Sequence, residues 1–571
     1  MKTASRAPAW GAVFLAAVVA AGCAAGPGTA PPAPPGVPLD VRLEALLSEP
    51  PFDRVHWGVL VVEPATDRVL YERNPDRLFI PASNMKVPVG AAALGLLGPD
   101  YRWETTFYAR GRPVEGVLPG DLYLPGRGDP TLGAPFFDPP DRALEALADS
   151  LWAAGVREVE GALVLDASAW DSTTVPESWM MEDLDGAYGA TGGAFAVRTG
   201  ELEIEVRAGS DPGDPASVSW VPHGPRLRSD GGSVANDSDP AAAAAPQPAP
   251  AAPQEDTAPE DAPGNQNSRS STTAAFEPFV RHDVVTVSSP PDGGAPPEIR
   301  VEFRPESRHW RVTGAIEVGA TRTFTRSSRD PIRLAVSALA GALADRGIEV
   351  HGGGRILWDA GIPLETRCAS GRIAGCAEML RIAGLASPPL AEVVPAILAP
   401  SQNWMTEQVV RTLGEEVGET GSWEDGFDAI LSYLEHEAGI EPDHFHFEDG
   451  SGMSAQNLVS PRAIVATLAH ARSRPWGDGF RESMARPGAD DTTLQSRLSG
   501  LEGRVFAKTG TISHVNSLSG YVLHENGQTW IFSVLSNGAN LPAGVVRERI
   551  DAVVGAVAEA QGRDGPRSLP D

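Results

Sequence analysis

Three short motifs that lie far apart in the chain place the strongest constraint on its fold. They are Ser83-Asn84-Met85-Lys86, Ser401-Gln402-Asn403 and Lys508-Thr509-Gly510. Together they offer a hydroxyl nucleophile with an amine three residues on, a second hydroxyl with an amide, and a cation followed by a flexible backbone. This set suits attack on an amide whose substrate ends in a carboxylate. It can work only if the chain folds so that all three motifs face one cleft.

The first motif combines a nucleophile with its base. A serine hydroxyl is a weak nucleophile and needs an adjacent base. Residues i and i+3 share one face of a helix, so Lys86 can direct its amine at the Ser83 hydroxyl. Lys86 serves as a base only if burial or a nearby cation, such as Lys508, lowers its pKa. Taken alone, the motif is more often a serine that caps a helix, here one through Leu97, with a solvated lysine.

The second motif supplies a proton relay and a substrate contact. The Ser401 hydroxyl can pass a proton between Lys86 and a leaving amine, and the Asn403 amide can hold a peptide group of the substrate. Read by itself, Ser401 after Pro400 is typical of a helix cap.

The third motif suits a C-terminal carboxylate. On an edge strand, Lys508 and Thr509 or Thr511 can bind that carboxylate. Gly510 permits close backbone approach, and the N–H of Thr511 can complete an oxyanion hole. Read by itself, Lys508 is typical of an exposed strand. The occurrence of all three motifs in this order favours the catalytic interpretation.

Other catalytic arrangements find little support. Gly-x-Ser-x-Gly is absent around Ser83, and His514 is interpreted as a loop residue. His444 and His446 lie in an acidic loop without a third partner at metal-ligand spacing, so we expect no metal and no cofactor. Asp449-Gly450-Ser451-Gly452 is interpreted first as a turn and second as part of the site lining.

The N-terminus is typical of an exported protein. A basic start precedes an apolar run over residues 7–21, which is shorter than the roughly 20 residues that a spanning helix needs. We expect a signal peptide over 1–22 and a Pro/Ala-rich tether over 23–39, and hence a periplasmic or cell-envelope location. Ala21-Gly22-Cys23 resembles a bacterial lipoprotein cleavage site, which would leave a lipid anchor on Cys23. Ordinary signal-peptide cleavage nearby is the alternative.

Charge and cysteine content narrow the partners and the redox compartment. The formal net charge of -29 argues against nucleic acid or an anionic membrane surface as a partner. In an exported chain, the spacing of Cys368 and Cys376 suggests a local disulfide that closes a small loop. A redox pair is the alternative.

The order of predicted elements indicates one α/β (α+β) catalytic domain that is interrupted in sequence. At 571 residues the chain is too long for one ordinary domain. We expect catalytic segments at 40–103 and 330–565 around inserted domains at 104–329. A Pro/Ala-rich tract at about 225–275 has almost no apolar residues and is predicted to be disordered. Helices are predicted at 331–346, 389–398, 401–413 and 543–560, and strands at 55–62, 68–72, 505–509, 518–524 and 529–535.

At these motifs the chain resembles the penicillin-binding-protein-4-like D-alanyl-D-alanine carboxypeptidase/endopeptidases, a class of serine peptidases. The resemblance covers about residues 40–560 and implies a serine β-lactamase/transpeptidase-like catalytic domain with two further domains nested between the first and second motifs. It rests on six segments: Pro81–Lys86, Gly128–Leu132, Ser387–Leu390, Asp449–Ser454, Ala507–Thr511 and Leu518–Val522.

The resemblance also implies residue roles. By motif position, Ser83 would be the acylated nucleophile and Lys86 the base. The second element would be Ser401 with Asn403, and the carboxylate and oxyanion side would comprise Lys508, Thr509 and Thr511. Where the family pattern has Asp, this chain has Gln402, which removes a charge but keeps the two side chains with assigned roles.

The implied activity is that of an exported serine DD-peptidase. Such an enzyme cleaves the terminal D-Ala of peptidoglycan stem peptides, or their crosslink, and β-lactams acylate the same serine. One alternative is a β-lactamase or D-amino-acid esterase/amidase on the same scaffold, against which the chain length and the large insertion argue. Another is a non-catalytic wall-binding lipoprotein, against which the intact motifs argue.

Overall fold

A computed structural model describes residues 37–190, 192–222, 272–274, 280–288, 297–305, 308–358 and 379–560. The predicted signal peptide, Cys23, Cys368, Cys376 and most of the Pro/Ala-rich tract lie outside the described residues. Within the described segments, the helices are all too short or too polar to cross a lipid bilayer.

The elements are numbered here in chain order. The helices are α1 Leu39–Ser48, α2 Lys86–Leu96, α3 Arg142–Ala153, α4 Pro331–Asp345, α5 Leu390–Leu398, α6 Asn403–Glu416, α7 Trp423–Ala438, α8 Pro461–Ser473, α9 Gly477–Glu482 and α10 Ala543–Glu559. The strands are β1 His56–Glu63, β2 Arg68–Arg73, β3 Glu104–Ala109, β4 Val117–Leu118, β5 Leu122–Pro125, β6 Glu158–Val159, β7 Leu163–Asp166, β8 Glu201–Arg207, β9 Ser217–Val221, β10 Thr272–Ala274, β11 Val280–Val287, β12 Ile299–Arg304, β13 His309–Glu317, β14 Thr321–Ser327, β15 Glu349–Val350, β16 Gly354–Leu357, β17 Leu380–Ala386, β18 Phe445–His446, β19 Leu458–Val459, β20 Val505–Ile512, β21 Val515–Leu523 and β22 Thr529–Asn537.

Strands from both ends of the chain form one antiparallel sheet, in the order β2-β1-β22-β21-β20. Successive side chains of a strand point to opposite faces, and on β1 Val59 and Val61 face one core while Leu60 faces another. Helices α1 and α10 cover the first face. The other face packs on a group of helices that includes α2, α6, α7 and α8.

Helix α2 lies at the centre of that helical layer. Its residues from Lys86 to Leu94 are all buried, which is the behaviour of a helix that is apolar on every side. It follows directly from the 3₁₀ helix Ala82–Met85. The sequence had indicated that Ser83 is the N-cap of the α-helix. In the structure Ser83 instead belongs to the 3₁₀ turn that precedes the helix.

The segment between the first two motifs forms its own sheets. The largest has six strands in the order β10-β16-β7-β5-β3-β17, and smaller sheets combine β11-β13-β12, β14-β8-β9 and β15-β6-β4. Its strand β10 occupies residues 272–274, so the end of the tract that the sequence predicts to be disordered is extended and pairs with β16.

The sequence places the start of the second catalytic segment at residue 330, but the following elements pack elsewhere. Helix α4 shares a core with α3, β16 pairs with β7, and β17 pairs with β3. The apolar pattern of α4 predicts a buried face without showing which partner covers it. We therefore propose that the inserted region extends to about Ser387.

Candidate active site

The structure brings Ser83 and Lys86 into direct contact. The Lys86 Nζ donates hydrogen bonds to Ser83 Oγ at 3.0 Å, to Asn403 Oδ1 at 2.7 Å and to the Ser451 carbonyl at 2.6 Å. The Lys86 side chain has no exposed surface. An ammonium group has three donors, and here the three acceptors fix its direction toward the Ser83 hydroxyl.

Burial is the main influence on the charge of Lys86. Loss of solvent lowers the pKa of Lys86 to about 7, against the opposing effect of the negative charges of Asp449 and Glu407. Burial and the positive charge of Lys86 together lower the pKa of Lys508 well below its usual range. The pKa of Lys86 is therefore shifted in the direction that a lysine base needs, chiefly by desolvation.

The second motif lies at the start of α6. Asn403 bridges two parts of the site, because its Oδ1 accepts from Lys86 and its Nδ2 donates to the Tyr188 carbonyl at 3.0 Å. Gln402 is the N-cap of α6, and its side chain accepts from the Met405 N–H. The capping alternative for Ser401 is thus wrong, and the glutamine has a structural reason at this position.

Ser401 is half-buried and adopts a left-handed backbone, with φ of 69°. Among the described residues, its hydroxyl makes no hydrogen bond to Lys86, whose acceptors are the three named above. The direct relay contact expected from the sequence is therefore absent from this arrangement of the described residues.

The third motif lies on the edge strand β20, beside the 3₁₀ turn of Ser83. Asn84 Nδ2 donates to the Lys508 carbonyl at 3.1 Å and to Ser517 Oγ at 2.7 Å, and Ser517 Oγ donates to the Pro81 carbonyl at 2.7 Å. These bonds fix the turn against β20 and β21. A Cβ at Gly510 would lie only 2.9 Å from the Ser83 nitrogen, so the close approach requires glycine.

The side chains of this motif are more enclosed than an exposed strand would allow. Lys508 has no exposed surface, so the exposed-lysine alternative is wrong. Its Nζ donates to the Thr509 carbonyl at 2.9 Å. Thr509 Oγ1 donates to Thr493 Oγ1 at 2.7 Å, and Thr511 Oγ1 donates to the Gly510 carbonyl at 2.8 Å.

The loop at 449–454 is both a turn and a wall of the site. Asp449 accepts hydrogen bonds from Gly452 N at 2.6 Å and Ser454 N at 2.5 Å, which shape the turn. The Ser451 carbonyl meanwhile contacts Lys86. Both interpretations of the sequence hold at this loop.

Glu407 is a site-adjacent residue that the sequence analysis missed. It is buried on α6 and accepts from Ser451 N at 2.7 Å and Gly450 N at 3.0 Å. Its position four residues after Asn403, and so on the same helix face, is the signal that could have found it.

The histidines have local roles. His514 lies in the turn between β20 and β21, as expected, and its Nδ1 contacts the Ala539 carbonyl at 3.0 Å. The expectation that His444 and His446 lack a third partner at metal-ligand spacing stays a prediction. In the described part of the chain, ligand atoms of Glu441, Asp443 and His444 lie within 4.8 Å of one another, in a group that does not include His446. Both acidic residues are exposed, and His444 Nδ1 contacts Ser460 Oγ at 2.8 Å.

A family model and several curated proteins match most of the chain. The model of the D-Ala-D-Ala carboxypeptidase 3 (S13) family matches residues 39–248 and 236–560. A D-alanyl-D-alanine carboxypeptidase from Actinomadura sp. (strain R39) is 30% identical over 536 residues, which is 92% of this chain and 85% of that protein. The D-alanyl-D-alanine carboxypeptidase DacB from Haemophilus influenzae is 22% identical over 483 residues, which is 83% of each.

Solved structures confirm the fold class expected from the sequence. The crystal structure of penicillin-binding protein 4 from Haemophilus influenzae superposes with a TM-score of 0.67 at 19% identity and covers 91% of this chain and 99% of that one. A second structure of that protein, complexed with a β-lactam, gives a TM-score of 0.63 at 19% identity and covers 91% of this chain and 100% of that one. The architecture is the penicillin-binding, transpeptidase-like α/β fold with extra domains. The chain therefore belongs to the D-Ala-D-Ala carboxypeptidase 3 (S13) family of serine-type peptidases.

Proposed function

We propose that this chain is an exported serine DD-peptidase that acts on peptidoglycan stem peptides through an acyl-enzyme on Ser83. The observation that carries the proposal is the 3.0 Å contact between Ser83 Oγ and the buried Lys86 Nζ. Carboxypeptidase action releases the terminal D-Ala, and endopeptidase action cuts the crosslink by the same chemistry.

Acylation begins with neutral Lys86. Its lone pair accepts the Ser83 hydroxyl proton, and Ser83 Oγ bonds to the carbonyl carbon of the penultimate D-Ala. The two remaining N–H groups of Lys86 stay on Asn403 Oδ1 and the Ser451 carbonyl. The N–H of Ser83 and the N–H of Thr511 receive the developing oxyanion.

Collapse of the tetrahedral intermediate breaks the amide C–N bond. The leaving amine takes the proton that Lys86 had received, and we assign Ser401 to relay it once substrate closes the gap. Water then attacks the ester carbonyl, gives a proton back through Lys86 to Ser83 Oγ, and releases the shortened peptide. This cycle uses no metal and no cofactor.

The substrate carboxylate is assigned to Lys508 with the Thr509 and Thr511 hydroxyls. Burial beside Lys86 disfavours a charged Lys508, and an incoming carboxylate supplies the missing negative charge. Binding of a substrate with a free C-terminus therefore stabilises the ammonium form of Lys508.

Digestion of purified crosslinked muropeptides tests the activity. We expect mass analysis to find released D-Ala or cleaved dimers, and we expect a labelled penicillin to acylate the protein, as the β-lactam complex of the Haemophilus influenzae relative suggests. Rapid repeated turnover of nitrocefin without lasting acylation would instead favour a β-lactamase.

Replacing Gly452 by alanine is expected to disturb the nucleophile turn. Gly452 has φ of +80°, and a Cβ there would lie 1.8 Å from the Ala82 carbonyl oxygen. Misplacing Ser83 by about 1 Å can cost about 100-fold in rate, so the penicillin acylation rate should fall by about that factor.

Gly439→Ala is the matched control. Gly439 has φ of +65° with nothing within 4 Å of an added Cβ. It should lose about 1–2 kcal/mol of stability from backbone strain alone and keep its acylation rate. Equal acylation by both variants would contradict the placement of this loop.

A further inference from the structure

A pair of buried carboxylates, Glu407 and Asp449, lies directly behind Lys86. Both side chains are almost fully buried, at 4% and 0% exposure. Buried carboxylates are costly unless they are paired or fully hydrogen-bonded. The proposed reaction assigns neither of them a part, so their presence beside the base needs its own explanation.

Glu407 uses both of its oxygens on one loop and one ring. Oε1 accepts from Ser451 N at 2.7 Å. Oε2 accepts from Gly450 N at 3.0 Å and from Trp423 Nε1 at 2.8 Å. Three N–H donors therefore converge on this carboxylate. A glutamine in its place would offer one acceptor oxygen and turn an NH₂ group toward an N–H donor.

The loop that Glu407 holds carries the carbonyl that receives Lys86. The Ser451 N–H faces Glu407, while the Ser451 carbonyl accepts from Lys86 Nζ at 2.6 Å. We propose that Glu407 is a positioning residue for Lys86, which acts through the main chain of Gly450 and Ser451. This inference rests on the proposed function, in which Lys86 is the base.

Helix α6 thus holds the Lys86 amine by two routes. Asn403, on its first turn, accepts from Lys86 directly. Glu407, one turn later, acts indirectly: it accepts from the Ser451 N–H, and the Ser451 carbonyl accepts from Lys86. A rigid helix that supplies both contacts fixes the amine relative to Ser83 more tightly than a loop carbonyl alone.

Asp449 secures the same loop from the other side. Its Oδ1 accepts from Asn457 Nδ2 at 2.7 Å, and its Oδ2 accepts from Trp179 Nε1 at 2.8 Å, in addition to the two N–H groups of its own turn. Trp179 belongs to the inserted region, so this region also braces the loop.

The charge of Glu407 bears on the base as well. Burial and the charge of Asp449 raise the pKa of Glu407 to about 7, and the negative charges of Glu407 and Asp449 raise the pKa of Lys86 against burial. The other charged groups around Lys86 and Glu407 are Asp449 on the loop, Lys508 on β20 and Arg411 on α6. Removing the Glu407 charge should therefore lower the pKa of Lys86.

The test compares penicillin acylation rates between pH 5 and 9, a range of about two units on either side of pH 7, for the full protein and three variants. In Glu407→Gln, we expect the high-pH plateau to fall about tenfold or more because the amine is misplaced. We also expect the acidic limb to move to lower pH, because neutral Lys86 persists there. Glu407→Asp keeps the charge but shortens the reach, so its plateau should fall while its limb stays nearer that of the wild type.

Thr412→Val is the matched control on the same helix. Thr412 is buried and hydrogen-bonded to Trp103 and Gln408, away from the loop. In Thr412→Val, the high-pH plateau and the acidic limb of the acylation-rate profile should equal those of the wild type. A Glu407→Gln profile equal to the wild type, or one that Thr412→Val reproduces, would overturn the positioning role.

Two further outcomes remain decisive. If Glu407→Gln does not fold, Glu407→Asp decides the question, and a wild-type plateau in that variant would refute the inference. If the wild type itself is not acylated at Ser83, the proposed function fails first. Acylation at Ser83 with unaltered variant profiles refutes the positioning role alone.

Discussion

Ser83→Ala is expected to abolish covalent labelling by penicillin and to lower muropeptide hydrolysis by at least about 10⁴-fold, since loss of a catalytic nucleophile has effects of that size. The alanine variant keeps the buried Lys86 and the fixed 3₁₀ turn, but no atom remains to form the acyl bond. Gel fluorescence with a labelled penicillin and mass analysis of muropeptides measure the two losses.

The stability of Ser83→Ala should be near that of the wild type. Ser83 is only half-buried, and Lys86 retains Asn403 and Ser451 as acceptors. Ser473→Ala, which removes an exposed hydroxyl on α8, is the control and should label normally. Stable labelling of Ser83→Ala would show that another residue is acylated and would end the assignment.

Lys86→Met is expected to have the second-largest effect. Methionine fills much of the same buried volume, but its side chain has no amine nitrogen that could accept the Ser83 proton. General-base catalysis contributes about 10²–10⁴-fold, so acylation should slow by about that factor. The variant also leaves Glu407 and Asp449 without their cation, so we expect lower thermal stability.

The pH dependence of the acylation rate distinguishes a role of Lys86 as the base from a purely structural role. Burial lowers the pKa of Lys86 to about 7. In the wild type, acylation should therefore rise as pH passes about 7, where the amine loses its proton, and level off above. In Lys86→Met this limb should vanish. Persistence of the same limb in the variant would assign it to a different group.

Local chemistry explains which parts of the site the sequence could predict. The i, i+3 spacing of Ser83 and Lys86 and the glycine in the third motif each imply a contact that needs no knowledge of the remaining fold. The contact of Asn84 with Lys508 and Ser517 across the sheet depends on strand register, which the motifs do not encode.

The parts that the sequence could not predict depend on long-range packing. The apolar face of α4 indicates burial, yet only the structure shows that α3 and the six-stranded sheet cover it. Glu407 lies one turn after Asn403, but its role depends on its contact with Ser451, which lies 44 residues away in a loop. From the sequence, Gln402 is only the replacement of an Asp and the loss of its charge, whereas in the structure its side chain caps helix α6.

The pairing of β1 with β22, together with the bonds from Asn84 to β20 and β21, has a consequence for biosynthesis. A nascent chain emerges from its N-terminus first, so the nucleophile is made hundreds of residues before the strands that hold it in place. Pairings between such distant segments form late and slowly. We therefore expect the enzyme to stay inert until its last strands are synthesised, so that a chain truncated before β20 would carry every atom of Ser83 and Lys86 yet have no activity.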